Sequence, residues 1–173
     1  MKRNSTYSYL LLLFFVMNIA FVGCYGFKDI NLDANVKTVR VDLIENRAQY
    51  RNPQVAPNLT DRLKQKITNQ TRLTQTNNEN AHWYITGEIR DYSVSTSGIS
   101  TTDGRSQTSV NRLTVSVHIV KLDNIKGETT EFDVTRQFDF GANQSLQTAE
   151  AQLLDEMIRN LTDEIFNKLF SNW

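Results

Sequence analysis

The stretch 110–122 alternates apolar and polar residues with the clearest regularity in the chain. Successive side chains of a β-strand point to opposite faces, so a period of two predicts a strand with one apolar and one polar face. The predicted inward residues are Leu113, Val115, Val117 and Ile119, and the predicted outward residues are Thr114, Ser116 and His118. Such a strand is stable only when other elements cover its apolar face, which constrains the rest of the fold.

Two further alternating stretches flank this strand. His82–Thr96 has a change of parity near Asp91, which predicts a β-bulge. Turn residues around Gly127 precede the alternating stretch Glu131–Phe140. These three strands are expected to form an antiparallel meander, with Ser95–Ser109, rich in Ser, Thr and Gly, as a flexible hairpin tip.

The remaining patterns predict two helices and two more strands, the shorter of which is Arg72-Leu73-Thr74. Val36–Ile44 alternates, with Val39, Val41 and Leu43 expected on one face. Leu59, Leu63 and Ile67 are spaced by four and predict a helix from Pro57-Asn58 to about Asn69. The stretch 145–170 predicts a longer amphipathic helix, whose apolar stripe is Leu154, Met157, Ile158, Leu161, Ile165 and Leu169. We therefore expect an α+β fold: a single mostly antiparallel or mixed sheet of about four strands, with two helices packed on one face.

The N-terminal residues have the features of an export signal peptide. Lys2 and Arg3 precede an apolar run, 10–21, that is shorter than the roughly 20 residues a spanning helix needs. Val22-Gly23-Cys24 then resembles the bacterial lipobox, in which the cysteine thiol takes a diacylglycerol and the signal is cut before it. A lone cysteine in an exported chain has no disulfide partner, so lipidation accounts for it. The alternatives are an ordinary signal peptide with an incidental Cys24, or a short membrane helix.

This interpretation divides the chain into three parts. Residues 1–23 are the lipoprotein signal peptide, 24–35 a lipidated tether and 36–173 a single domain. The full chain has 19 Lys and Arg against 19 Asp and Glu. Loss of Lys2 and Arg3 with the signal leaves 17 bases and a net charge of −2. A nucleic-acid partner is therefore disfavoured, because such partners require a basic stripe.

The sequence contains no motif that predicts catalysis, a cofactor or a metal site. His82 and His118 are the only histidines, and neither has another ligand at metal-binding spacing, so both are expected to be solvated or edge residues. We expect a protein that is not an enzyme.

Three arginines are the candidate ligand-binding residues. Arg90, Arg105 and Arg112 lie in or beside the Ser/Thr/Gly loop, on strands expected to pair. If the strands pair as a hairpin, the guanidinium groups come close together, and such groups bind phosphate in a bidentate manner. The alternative is that each is a solvated strand residue.

The order of these pieces resembles the LPS-assembly lipoprotein (LptE-like) family, in particular its Bacteroidota branch, over essentially the whole chain. The resemblance is carried by Gly87-Glu88-Ile89 with Tyr92 and Val94, by the run Asn111–Val115 with Val117, and by Asn167 with Asn172-Trp173.

The resemblance implies a lipid-anchored protein on the periplasmic side of the outer membrane. It implies lipopolysaccharide as a ligand and an outer-membrane LPS-assembly β-barrel (LptD-like) as the partner, whose lumen the lipoprotein plugs. The rival functions are a stand-alone periplasmic or surface lipoprotein that binds a glycan or peptide, and an outer-membrane hydrolase, for which no nucleophile-base arrangement is present.

We expect Cys24→Ala to abolish lipidation, because no other thiol can accept the diacylglycerol. The variant should appear in the soluble periplasmic fraction or remain uncleaved, as measured by membrane fractionation and the mass of the mature chain. Normal fractionation together with a normal mature mass contradicts the prediction.

Overall fold

The computed structural model describes residues 32–97, 101–102, 105–106 and 110–170. The predicted signal peptide, Cys24 and most of the predicted tether lie outside these ranges, so the three-part division of the chain stays a prediction. The elements in chain order are β1 Thr38–Val41, β2 Glu45–Asn46, α1 Val55–Gln70, β3 Thr74–Gln75, β4 Trp83–Ser97, β5 Thr101–Thr102, β6 Arg105–Ser106, β7 Val110–Asp123, β8 Glu128–Gly141 and α2 Leu146–Phe170.

The main sheet is mixed and six-stranded. Its order is β3-β1-β4-β7-β8, with β2 also paired to β4. β1 runs parallel to β3 and β4, whereas β4, β7 and β8 form the predicted antiparallel meander. The predicted α+β class is confirmed. β2, β5 and β6 were not predicted because strands of two residues are too short to show a period.

The predicted tip 95–109 is described only in part. β4 extends to Ser97, and the strands β5 and β6 pair with each other. Residues 98–100, 103–104 and 107–109 lie outside the described ranges.

One face of the sheet is apolar and is covered by the two helices. Leu113, Val115, Val117 and Ile119 of β7 are completely buried, as predicted. Leu59, Leu63 and Ile67 of α1 and Met157, Leu161 and Ile165 of α2 are also completely buried and belong to the same core. Each helix is amphipathic and packs its apolar face against the sheet, so the sheet and the helices form a single two-layer core.

The predicted bulge in β4 is confirmed. The pairing of β4 with β7 shifts register between Ile89 and Asp91. Ile89 and Tyr92 are both buried although their numbers differ by three, because the extra residue at the bulge changes which parity faces the core.

Close approach of β4 and β7 requires a glycine at position 87. A Cβ atom at Gly87 would lie 2.8 Å from the backbone oxygen of His118 and 2.7 Å from Cδ1 of Ile119. The first of these atoms belongs to the backbone and cannot move aside as a side chain can, so Gly87 permits the two strands to pair at this point.

The prediction that Leu43 faces the core with Val39 and Val41 was wrong. Leu43 is 57% exposed, whereas Ile44 is completely buried. The chain leaves strand geometry after Val41, and the backbone amide of Ile44 donates to Oγ1 of Thr60 on α1 at 3.0 Å. The period of two therefore does not continue through this segment.

We expect Leu161→Ala to lower the free energy of unfolding by about 2–5 kcal/mol, because it leaves a cavity in the centre of the core. Leu43→Ala is the matched control and should change it by less than about 0.5 kcal/mol, since Leu43 is largely exposed. Denaturant unfolding followed by circular dichroism measures both. Equal losses in the two variants would contradict this account of the core.

Candidate functional site

The second face of the sheet is polar and is not covered by the helices. On β7 and β8 its cross-strand pairs are Arg112 with Asp139, Thr114 with Gln137, Ser116 with Thr135, and His118 with Asp133. The hydroxyl oxygens of Ser116 and Thr135 lie 3.0 Å apart. We call this surface the polar face, and define it by these four pairs together with Glu88 and Arg90 of β4.

A network of charges runs across one end of the polar face. Glu88 accepts from Nε of Arg90 at 2.6 Å and lies 3.3 Å from Nε of Arg47. Asp133 lies 2.8 Å from Nδ1 of His118 and 3.8 Å from a terminal nitrogen of Arg90. All of these groups except Asp133 line a shallow depression of about 460 Å³ that also includes Asp42, Leu43 and Tyr84.

The structure does not bring Arg90 and Arg112 together. Ile89 pairs with Val117 and Asp91 with Ser116, so Arg90 lies four to five residues along β7 from Arg112. At about 3.4 Å per residue, this separation is roughly 15 Å. The side chain of Arg105 lies outside the described part of the structure.

Each of the two described arginines already has a carboxylate partner. Arg112 donates to both oxygens of Asp139, at 2.7 and 2.9 Å, and this hydrogen bonding holds the pKa of Asp139 below its usual value. The hydrogen bond from Arg90 likewise lowers the pKa of Glu88. A phosphate would compete with these carboxylates. Binding by Arg90, Arg105 and Arg112 therefore stays a prediction.

The histidines are less solvated than expected. His118 does point to the polar face, but it is only 9% exposed because Asp133 and Glu131 lie beside its ring. Nδ1 of His82 accepts hydrogen bonds from the backbone amides of Lys37 and Thr38. Among the described residues, no group of three or more His, Cys, Asp or Glu side chains is arranged to hold a metal ion.

Sequence reasoning missed a buried carboxylate beneath the sheet. Glu150 of α2 is 5% exposed and accepts hydrogen bonds from the hydroxyls of Tyr92 at 2.7 Å and Tyr50 at 3.1 Å. Burial, together with the bond to Glu150, raises the pKa of Tyr92 well above its usual value. The signal was present in the sequence, since Glu150 lies four residues before Leu154 and so continues the apolar stripe of α2.

The polar face and the two-helix core define an α+β domain with one sheet surface left open. The model of the LptE family, described as lipopolysaccharide-assembly, matches residues 36–169. This match covers more than half of the chain, so the protein belongs to the LptE lipopolysaccharide-assembly family. No curated protein matches the chain in sequence.

Several solved structures are similar in fold. Lipoprotein B from Nitrosomonas europaea is 20% identical with a TM-score of 0.46, and the match covers 81% of this chain and 89% of that one. The PelC dodecamer from Paraburkholderia phytofirmans is 12% identical with a TM-score of 0.48, covering 82% and 92%. A minor lipoprotein from Acinetobacter baumannii is 14% identical with a TM-score of 0.43, covering 78% and 88%. At these identities and scores, the likeness supports no functional argument.

Neither helix in the described ranges combines the length and the apolar composition that are needed to cross a bilayer.

We expect the double variant Arg90→Glu/Arg112→Glu to weaken binding to purified lipopolysaccharide, and to do so most at low salt, where exposed charges are least screened. The matched variant Glu88→Gln/Asp139→Asn removes the competing carboxylates and should strengthen binding. A titration of each variant at two salt concentrations measures the effect. If the affinity for lipopolysaccharide is unchanged in both variants, these arginines serve only in structural ion pairs.

Proposed function

We propose that this protein is an outer-membrane lipoprotein that acts, without catalysing a reaction, in the transport and assembly of lipopolysaccharide. In this proposal it is anchored through Cys24 on the periplasmic side and serves as plug and assembly partner of an LPS-assembly β-barrel (LptD-like). Membership of the lipopolysaccharide-assembly family supports a role in lipopolysaccharide transport and assembly. The open polar face supports a role as a plug.

The polar face suits a position inside a wet barrel lumen. A plug needs a rigid body whose exposed surface remains favourable beside water and polar lumen walls. Here the side chains already pair with one another, as in the Ser116–Thr135 and Arg112–Asp139 contacts. Docking therefore buries fewer unpaired polar groups, each of which costs about 1–3 kcal/mol.

The rigidity of the plug would come from the core behind this face. Fourteen-residue strands β7 and β8 pair along their full length, and the helices seal the opposite face. Glu150, near the start of α2, accepts hydrogen bonds from Tyr50, in the segment before α1, and from Tyr92 of β4. These two bonds connect the three parts of the chain. A docking surface held in this way loses little conformational entropy on binding.

The alternative function is a stand-alone lipoprotein that binds a glycan or peptide. The depression of about 460 Å³ on the polar face, with Tyr84 and several charged groups in its lining, favours it. The two functions differ in whether a barrel accompanies the protein in detergent.

We expect Ser116→Arg to reduce co-purification of the barrel in detergent by about tenfold or more, because a long cation in the middle of the polar face blocks close docking. Gln152→Arg adds the same charge to an exposed position on α2 and is the matched control. Gln152→Arg should unfold within about 2 °C of the wild type, since exposed substitutions change stability little, and thermal unfolding checks that Ser116→Arg, at a half-buried position on the open face, also stays folded.

If no substitution on the polar face changes co-purification of the barrel, the stand-alone function is favoured. An equal loss for both variants would indicate a general effect of charge, and the polar face would then not be the docking surface.

A further inference from the structure

Strand β8 forms one edge of the main sheet. The strand order places β8 last, and β8 pairs with β7 over its whole length, from Glu128 to Gly141. Within the described part of the chain, no strand pairs with its other side. An edge strand presents backbone N–H and C=O groups that have no partner in the sheet, and such a row is a template for a further strand.

The register shows which residues of β8 direct their backbone groups to this free edge. In antiparallel strands, opposite residues either exchange both backbone hydrogen bonds or exchange none, and the two kinds of pair alternate. The backbone oxygen of His118 points toward β4, since it would lie 2.8 Å from a Cβ atom at Gly87. The backbone of His118 therefore does not bond to that of Asp133, its opposite residue on β8, and the backbone groups of Asp133 point to the edge.

A contact from α2 agrees with this direction. Nζ of Lys168 donates to the backbone oxygen of Asp133 at 2.8 Å. The alternation along the strand then directs the amide and carbonyl groups of Thr135, Gln137 and Asp139 to the same edge. The side chains of these three residues are exposed. Residues 135–139 therefore combine a free backbone edge with access from solvent.

The two halves of the edge differ in how readily a further strand can pair. In the first half, Lys168 occupies the backbone oxygen of Asp133, and Glu128 and Glu131 add carboxylates that oppose pairing. In the second half, 135–139, the charged side chains are already paired with groups of β7 and α2. We call the backbone groups of Thr135, Gln137 and Asp139 the open edge.

The chemistry of the open edge selects an extended polypeptide segment. Its N–H and C=O groups alternate at the spacing of a strand, so a second backbone in β conformation can pair with all of them. β8 contains four carboxylates and one guanidinium group, from Glu128, Glu131, Asp133, Asp139 and Arg136. Self-pairing would bring two such acidic strands together, and like charges at opposite positions are destabilising. The charge of β8 therefore favours a basic segment from a different chain.

The barrel partner of the proposed function can provide such a segment, but not from its barrel strands. The strands of a closed barrel are paired on both sides and leave no edge for further pairing. The segment must therefore come from a loop or from a terminal region of the partner.

We propose that the open edge binds an extended, basic loop or terminal segment of the barrel partner as an added strand of the sheet. The segment has no proline at the positions that donate to β8. The inference rests on the proposed function and extends it. The polar face docks against the wall of the lumen, and the neighbouring edge holds the partner through backbone hydrogen bonds.

Proline at position 137 tests this pairing specifically. The amide of Gln137 points to the edge, so Gln137→Pro removes a bond to the added strand and no bond to β7, and edge strands tolerate proline at such positions. Gln137→Ala removes the side chain and keeps the amide. Thr129→Pro is the matched proline control, because the same alternation directs its amide to the edge but outside the open edge.

Co-purification of the barrel in detergent is measured for each full-length, lipidated variant. We expect Gln137→Pro to lower it by about tenfold or more, because the proline ring blocks the approach of the added strand. Gln137→Ala and Thr129→Pro should remain within about twofold of the wild type. Thermal unfolding of each lipoprotein without the barrel checks that the variant is folded.

Amide hydrogen exchange of the wild type is a second measurement and requires no substitution. The amides of Thr135, Gln137 and Asp139 should exchange about tenfold or more slowly in the barrel complex than in the isolated lipoprotein, because the added strand bonds to them. The amide of Thr129 should change by less than about twofold, since it lies outside the open edge.

The outcomes that overturn the inference differ from one another. If Ser116→Arg lowers co-purification, but Gln137→Pro does not and the three amides gain no protection, the plug stands and the edge pairing is overturned. Equal losses for Gln137→Ala and Gln137→Pro assign the contact to the side chain, and an equal loss for Thr129→Pro shows that the open edge is not special.

Two further outcomes concern the partner. If no barrel accompanies the wild-type lipoprotein, the proposed plug and the edge pairing fail together. If the lipoprotein is a dimer in the absence of the barrel, as measured by light scattering, and Gln137→Pro makes it a monomer, the edge binds a second copy of this chain and the assignment to the barrel partner is wrong.

Discussion

The pairing of β4 with β7 is the interaction on which the rest of the structure depends. β4 is the only strand that joins the parallel part of the described sheet, through β1 and β2, to the antiparallel part, through β7. The two strands approach closely because position 87 is a glycine. The bulge between Ile89 and Asp91 then allows both Ile89 and Tyr92 to face the core, so the pairing decides which side chains are buried on the two sides of the bulge.

The consequence of this pairing is a sheet with two chemically different faces. The apolar face supplies the driving force for folding, because it removes Leu113, Val115 and their neighbours from water under the two helices. The polar face remains open, and its side chains pair across the strands rather than with the helices. A domain of this kind can be stable by itself and still offer a broad, prearranged surface to a partner. That combination fits a member of the lipopolysaccharide-assembly family.

The charged groups of the polar face show how local pairing limits inference from sequence. The expectation that Arg90 and Arg112 converge assumed that neighbouring strands bring their basic residues together. The register instead separates them and places Asp139 opposite Arg112, while Glu88 and Arg90 pair along their own strand. Opposite charges at cross-strand positions stabilise a sheet, so each guanidinium first satisfies a carboxylate of its own protein. A ligand at this surface must compete with those pairs.

The sequence by itself determined the class of fold, the inward residues of β7, the bulge near Asp91 and the apolar positions of both helices, because these follow from local periodicity over ten or more residues. Tertiary structure alone decided the exposure of Leu43, the burial of His118 and the hydrogen bonds of Tyr50 and Tyr92 to Glu150. The burial of His118 depends on Glu131, 13 positions away, and the bond of Tyr50 to Glu150 joins residues 100 positions apart. The exposure of Leu43 follows because β1 is only four residues long and ends at Val41. Periodicity reports which face a side chain is on, and only the packing of distant segments determines what covers that face.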